Sequence, residues 1–256
     1  MSAPELSVVC RSCGSEVSPY VTECPYCGTR IRKRAPKLER HGDELTAKEP
    51  RRRRRRRARE ARDHAFPYAS LAVVIASSLV LLTLRAIEES PTYLGAIVGD
   101  VGSEWWRYLA APFVYDSVGY LFVIGCTVMI FGAPVERRLG TVPTALLIVA
   151  CGALGMLAAE GVEGSLDSSQ PLVAAGGNGI ALGLLCAWVL MRRAEARSEI
   201  DEGIDVIGVA VAAGVLVLLP VVVDWANVFA GLGGAAVGAA CGLIAAMARR
   251  PRSPAG

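Results

Sequence analysis

Phe66–Ile87, FPYASLAVVIASSLVLLTLRAI, holds a single charge, Arg85, in 22 residues. That is the length an α-helix needs to cross the hydrocarbon of a bilayer, and a soluble core helix is normally shorter and has a polar face. The reading extends in both directions. Toward the C-terminus, apolar runs of similar length recur at Val118–Phe131, Thr141–Ala159, Leu172–Met191, Ile204–Val223 and Trp225–Met247, separated by short polar breaks. Toward the N-terminus the chain is polar and basic. Residues 1–64 hold 17 Lys/Arg against 9 Asp/Glu, a net of +8, whereas residues 65–256 hold 10 against 15, a net of −5. A hydrophobic content of 53% over the whole chain exceeds that of an ordinary soluble domain. The sequence therefore predicts an all-α polytopic membrane protein, a six-helix bundle behind a small β-hairpin head. Its parts are a head at 1–31, a basic disordered linker at 32–64, a membrane domain at 65–248 and a tail at 249–256.

Lys and Arg near span ends are retained in the cytoplasm. With six spans and both termini inside, Arg137, Arg138, Arg192, Arg193, Arg197 and the tail arginines Arg249, Arg250 and Arg252 face the cytoplasm, and only Arg85 and Arg107 lie opposite. A multi-pass protein of a plasma or inner membrane is expected. No cleavable signal peptide is expected, since the first hydrophobic run follows a 64-residue head.

The head contains Cys10-x-x-Cys13 and Cys24-x-x-Cys27, each second cysteine followed by glycine, Gly14 and Gly28. Two thiolates on a tight turn converge on one ion, and two such turns complete a tetrahedral four-thiolate shell. Disulfides are disfavoured by a cytoplasmic location, and a redox Cys-x-x-Cys has no need of duplication. A structural Zn2+ is expected at Cys10, Cys13, Cys24 and Cys27, supplying most of the folding free energy of so small a unit. A filled shell leaves no position for substrate, so the head is expected to dock a cytoplasmic partner of unknown identity. The run Arg51–Arg57 just before the first span reads as an anchor for anionic lipid head groups. A nucleic-acid arm and a merely solvated tether are the competing readings, and nucleic acid is not expected as a partner. Cys126, Cys151, Cys186 and Cys241 stand singly in apolar runs and read as packing residues.

Trp105-Trp106-Arg107 leads through Pro112-Phe113 into the second span, which closes on Gly132-Ala133-Pro134-Val135-Glu136-Arg137-Arg138-Leu139-Gly140. Farther on come Gly176-Gly177-Asn178-Gly179-Ile180-Ala181-Leu182-Gly183 and Asp224-Trp225-Ala226-Asn227 with Gly234 and Gly238. This ordered set resembles the rhomboid intramembrane serine proteases over about residues 66–247. Such glycine spacing also arises wherever spanning helices pack closely, and the tryptophans and Glu136 with Arg138 have bland readings as an interfacial belt and an edge ion pair. The resemblance implies a serine nucleophile on the fourth span, a histidine base on the sixth and oxyanion donors on the second. In this sequence those positions hold Asn178, Asn227, and Tyr120 with Ile124. A carboxamide is neither nucleophile nor base at neutral pH, and the only histidines, His41 and His64, precede the membrane body. Ser117, the nearest shifted serine, would still lack a base. The expectation is a pseudoprotease without catalytic residues that binds transmembrane client proteins. The alternative is an active intramembrane serine endopeptidase. A transporter is disfavoured by the scarcity of ionisable residues in the spans. Asn178 and Asn227 are expected to face the interior and to bond to each other.

Overall fold

The computed structural model describes residues 7–18, 21–31, 38–41, 44–47, 66–163, 171–196 and 206–248. The chain divides into two compact units, Met1–Ala61 and Arg62–Gly256. The arginine run Arg51–Arg57, Arg197 and the tail from 249 lie outside the described residues.

In the first unit, β1 (Val8–Val9) pairs antiparallel with β2 (Glu16–Val17), with Val8 opposite Val17 and Val9 opposite Glu16. The turn between them places Gly14 at φ +72°, a left-handed conformation that glycine adopts without steric cost. The second cysteine turn repeats this with Gly28 at φ +69°, and an isolated bridge joins Glu23 to Arg30. Cys10, Val17 and Cys24 form the interior, with Val21 and Ile31 against them. So few apolar side chains cannot stabilise a fold unaided. A second hairpin, β3 (Leu38–His41) with β4 (Glu44–Ala47), lies within the stretch expected to be disordered. The expectation of a structureless 32–64 therefore fails over these strands. The two residues between them are Gly42 and Asp43, a pair suited to a two-residue hairpin turn, whose signal was masked by the surrounding charge.

The second unit is helical, and each expected span has a helix. These are α1 (Tyr68–Ile87), α3 (Val118–Leu139), α4 (Thr141–Glu163), α5 (Asn178–Ala196), α6 (Val206–Leu218) and α7 (Val228–Ala248). A short α2 (Arg107–Ala110) lies in the first loop. Among the described residues, only α1, α3, α4 and α7 are both long and apolar enough to cross a membrane by themselves. Helix α5 ends in Arg192, Arg193 and Glu195, and the α6 segment is short, Val206–Val221. The six-span count is thus approximate, and several boundaries differ from the expectation, three of them for a physical reason. Helix α3 runs on to Leu139 through a π-helical stretch, Val128–Gly132. The π turn accommodates Pro134, whose ring would otherwise meet a carbonyl of the preceding turn. The apolar run at Leu172 does not begin as helix, because Val173–Ala174 forms β6 against β5 (Ile97–Val98). The last run starts only at Val228, after Asn227.

Helix α5 is the centre of the unit, with Ile180, Ala181, Leu184 and Ala187 all buried. Its tightest neighbour is α7. A Cβ on Gly234 would sit 2.2 Å from the Gly179 carbonyl oxygen, and one on Gly238 would sit 2.0 Å from that of Gly183. Backbone-on-backbone contact of this kind is how apolar helices gain packing energy where surrounding lipid is as apolar as the side chains. Leu79, Leu82, Phe122, Ile130, Leu146 and Ile244 point outward, as on helices solvated by hydrocarbon.

Candidate metal centre and substituted cleft

Two places concentrate polar chemistry, one in each unit. In the head, the amide of Gly14 donates to Cys10 O and that of Gly28 to Cys24 O, both at 2.9 Å, while Cys10 N and Cys24 N donate to Ser15 O and Thr29 O. Each Cys-x-x-Cys-Gly is therefore a closed turn that points two sulfurs the same way. Cys10 Sγ lies 3.7 Å from Cys27 Sγ, and Cys13 Sγ lies 3.6 Å from Cys24 Sγ, so each close pair joins one turn to the other. All four sulfurs fall within 4.8 Å of one another. A regular tetrahedron with zinc–sulfur bonds of about 2.3 Å has edges of about 3.8 Å, so the spacing fits a single ion. Cys10 and Cys24 are buried, Cys13 and Cys27 exposed. Burial pushes the Cys24 thiol up to about 11, whereas hydrogen bonds from the Thr29 hydroxyl and backbone hold Cys27 down at about 6. A bound cation would favour the thiolate form of both.

In the membrane unit the motif residues take definite structural tasks. Arg107 donates to the carbonyls of Thr92 (3.1 Å) and Ala96 (2.9 Å), pairs with Glu104, and lies 5.2 Å from the Trp106 ring centre. It fastens the first loop. Glu136 is buried, and its carboxylate accepts from Ala69 N (2.8 Å), Ser70 N (3.0 Å) and Ser70 Oγ (3.0 Å). These are unpaired donors of the first turn of α1, so Glu136 caps a different helix from its own. Gly132, one turn earlier, leaves room for the serine, since a Cβ there would come 2.8 Å from Ser70 Oγ. Arg138 lies on the last turn of α3, which Gly140 ends at φ +96°.

Asn178, Asn227, Tyr120 and Ile124, the residues that the resemblance aligns with catalytic and oxyanion positions, are all buried. Asn178 is the first residue of α5. Its Oδ1 is buried with no hydrogen-bond partner among the described residues, and a Cβ on Gly231 of α7 would be 2.8 Å from its Nδ2. Asn227 accepts from Phe229 N (2.8 Å) and Ala230 N (3.1 Å), which makes it the cap of α7. The expected bond between the two carboxamides is therefore not made by Asn178 Oδ1, and the Asn227 oxygen is engaged by the backbone. Tyr120 donates its hydroxyl to Ala175 O at 3.1 Å, and Ile124 stands near Gly177. Ser117 accepts from Tyr120 N at 3.3 Å as the cap of α3.

One residue at this place escaped sequence reasoning. Tyr115 is fully buried, its ring 5.0 Å from that of Tyr120, and its hydroxyl accepts from Gly177 N at 3.0 Å. It lies just outside the second span and belongs to none of the motifs quoted above. The available signal was an aromatic pair straddling the Ser117 cap. Gly176, at φ +85°, and Gly177 lie directly on these rings.

A family model described as a Rhomboid domain matches residues 102–248, more than half the chain, and one described as a zinc-ribbon domain matches residues 9–31. No curated protein matches the chain significantly.

Proposed function

Because this chain belongs to the rhomboid family, whose architecture places its reacting groups at the heads of the fourth and sixth spans, we propose that it is a non-catalytic member that binds transmembrane segments of client proteins. The observation that carries the reading is the pair of carboxamides at those heads. Asn178 opens α5, and Asn227 caps α7 through two backbone amides. Neither can give or take a proton at neutral pH, and no histidine lies in residues 66–256. Tyr120, at an oxyanion position, spends its hydroxyl on Ala175 O, and Ile124 has no donor. A family scaffold that keeps its loop fastening, its helix cap and its glycine packing without its chemistry is suited to recognition of other spans.

The proposal extends to the head. Cys10, Cys13, Cys24 and Cys27 would hold a structural Zn2+, and the metal-folded ribbon would dock a cytoplasmic partner. With the N-terminus in the cytoplasm, Arg51–Arg57 would rest on anionic lipid head groups. Reporter fusions at Gly164 and Ser198 should then report the outer and inner sides respectively, and same-side readings would remove the six-span topology.

The deciding experiment reconstitutes the full chain in liposomes with a fluorescent single-span test segment and reads energy transfer and cleavage together. Association without cleavage is the expected result. Cleavage that disappears on changing one intramembrane residue would replace the binder with an endopeptidase, and absence of both signals would end the client-binding reading.

A further inference from the structure

We infer that Tyr120, braced by Tyr115, is an internal stopper that fills the space at the head of α5 and keeps it closed to water and to polypeptide. This goes beyond the absence of a serine and a histidine, and it holds whether or not the chain binds clients.

The first argument is steric. Both tyrosines are fully buried, and Tyr120 lies so close to Gly176 that a Cβ on that residue would fall 2.3 Å from Cε1 of the ring. A Cβ on Gly177 would fall 2.5 Å from the Tyr115 hydroxyl. The space beside both glycines is taken by the two rings. Gly176 at φ +85° also holds the backbone in a shape that side chains rarely adopt, so the segment cannot easily be rebuilt around another residue.

The second argument concerns hydrogen bonds. A peptide entering this cleft would have to pair with the backbone that leads into α5, and that backbone is already engaged. Gly99 N donates to Leu172 O (2.7 Å), and Val173–Ala174 is paired with Ile97–Val98. Ala175 N donates to Trp225 O and Gly176 N to Ala111 O, each at 2.8 Å. Gly177 N is taken by the Tyr115 hydroxyl, and Ala175 O by that of Tyr120. In a bilayer a guest that displaced these bonds would have to replace every one, since water is not there to do so. The tyrosine hydroxyls thus stand where a guest carbonyl or amide would have to bond. One consequence follows: Asn178→Ser with Asn227→His leaves the space at the head of α5 shut.

The test places a thiol inside the cleft. Asn178→Cys is made in the full chain, held in lipid nanodiscs and treated with a charged, water-borne methanethiosulfonate, and the adduct at residue 178 is read by mass spectrometry. The same is done with Tyr120→Ala and with Tyr120→Phe added. Labelling should be slow with Tyr120 and with Phe, whose ring still fills the space, and at least about tenfold faster with Ala, because reactivity follows the open population. Added p-cresol should refill the space and slow the Ala variant again, which a misfolded chain would not allow. Equal rates in all three, or fast labelling of the Ala variant that p-cresol does not reverse, would overturn the stopper.

Discussion

The ribbon and the membrane body solve the problem of a small interior in opposite ways. In the ribbon, five apolar or sulfur side chains enclose almost nothing, and four sulfurs lie within 4.8 Å of one another, a spacing that suits one cation. In the body there is no such focal bond. Order is spread over many glycine contacts in which the backbone of α5 touches that of α7. The first arrangement is all-or-none, because removal of one ligand opens the shell. The second is graded, because each glycine can be altered by itself and the loss read off its own neighbours. Substitutions should therefore separate the two regions by size of effect and by breadth.

The largest effect belongs to the ribbon. Cys24→Ser with Cys27→Ser removes two of four ligands and with them a metal-coupled folding free energy on the order of 10 kcal/mol. Elemental analysis should fall from about one zinc per chain to none, and a strong chelator should do the same to the unaltered protein. The melting temperature of the membrane body should not move. Metal content unchanged in the double variant would remove the site, and a body that melts early would join two units that the contrast keeps apart.

Within the body the effect should track the space at each glycine. Gly238→Val forces a side chain into the Gly183 carbonyl, 2.0 Å from the first added carbon, and neither backbone can yield without unseating the helix pair. A loss of about 3 kcal/mol or more is expected, read as a lower midpoint of unfolding in detergent. Gly214→Ala, on α6, meets nothing within 4 Å and should be neutral or gain up to about 1 kcal/mol from helix propensity. Similar losses at both positions would show that packing at the α5–α7 contact is not what holds the body.

The same contrast explains what could be read in advance. The four-cysteine cluster was legible residue by residue, since a Cys-x-x-Cys-Gly turn is local and its geometry is contained in its own five residues. The helices were legible as apolar runs, but their ends were not. Leu172–Gly177 is as apolar as the helix it leads into, and only pairing with Ile97–Val98, some 75 residues earlier, makes part of it a strand. Glu136 was marked by its motif, with an edge ion pair as the bland alternative, and neither reading named its partners. Its true partners are two backbone amides and a hydroxyl at the start of α1, which no local pattern specifies. Tyr115 carried no motif, and its place against Gly177 is a product of the tertiary fold alone. The hairpin at Leu38–Ala47 was hidden by its charges.

Small effects should also come from the two asparagines, and they decide how the heads of α5 and α7 are built. Asn227 accepts two backbone amides at the start of α7, so Asn227→Ala should cost about 1 kcal/mol, the usual loss on removing a helix cap, and Asn227→Ser should recover part of it. Asn178 is different, because its buried oxygen has no partner among the described residues and already bears the cost of being out of water. Asn178→Ala removes that cost along with some packing, so the net change should stay within about 1 kcal/mol of zero. With no bond joining Asn178 Oδ1 to Asn227, the double variant should lose the sum of the two within about 0.5 kcal/mol. A midpoint series in detergent on the four proteins reads this directly. Coupling well above that limit would restore the direct pairing that the sequence suggested, where the structure has a helix cap and a carboxamide oxygen without a partner among the described residues.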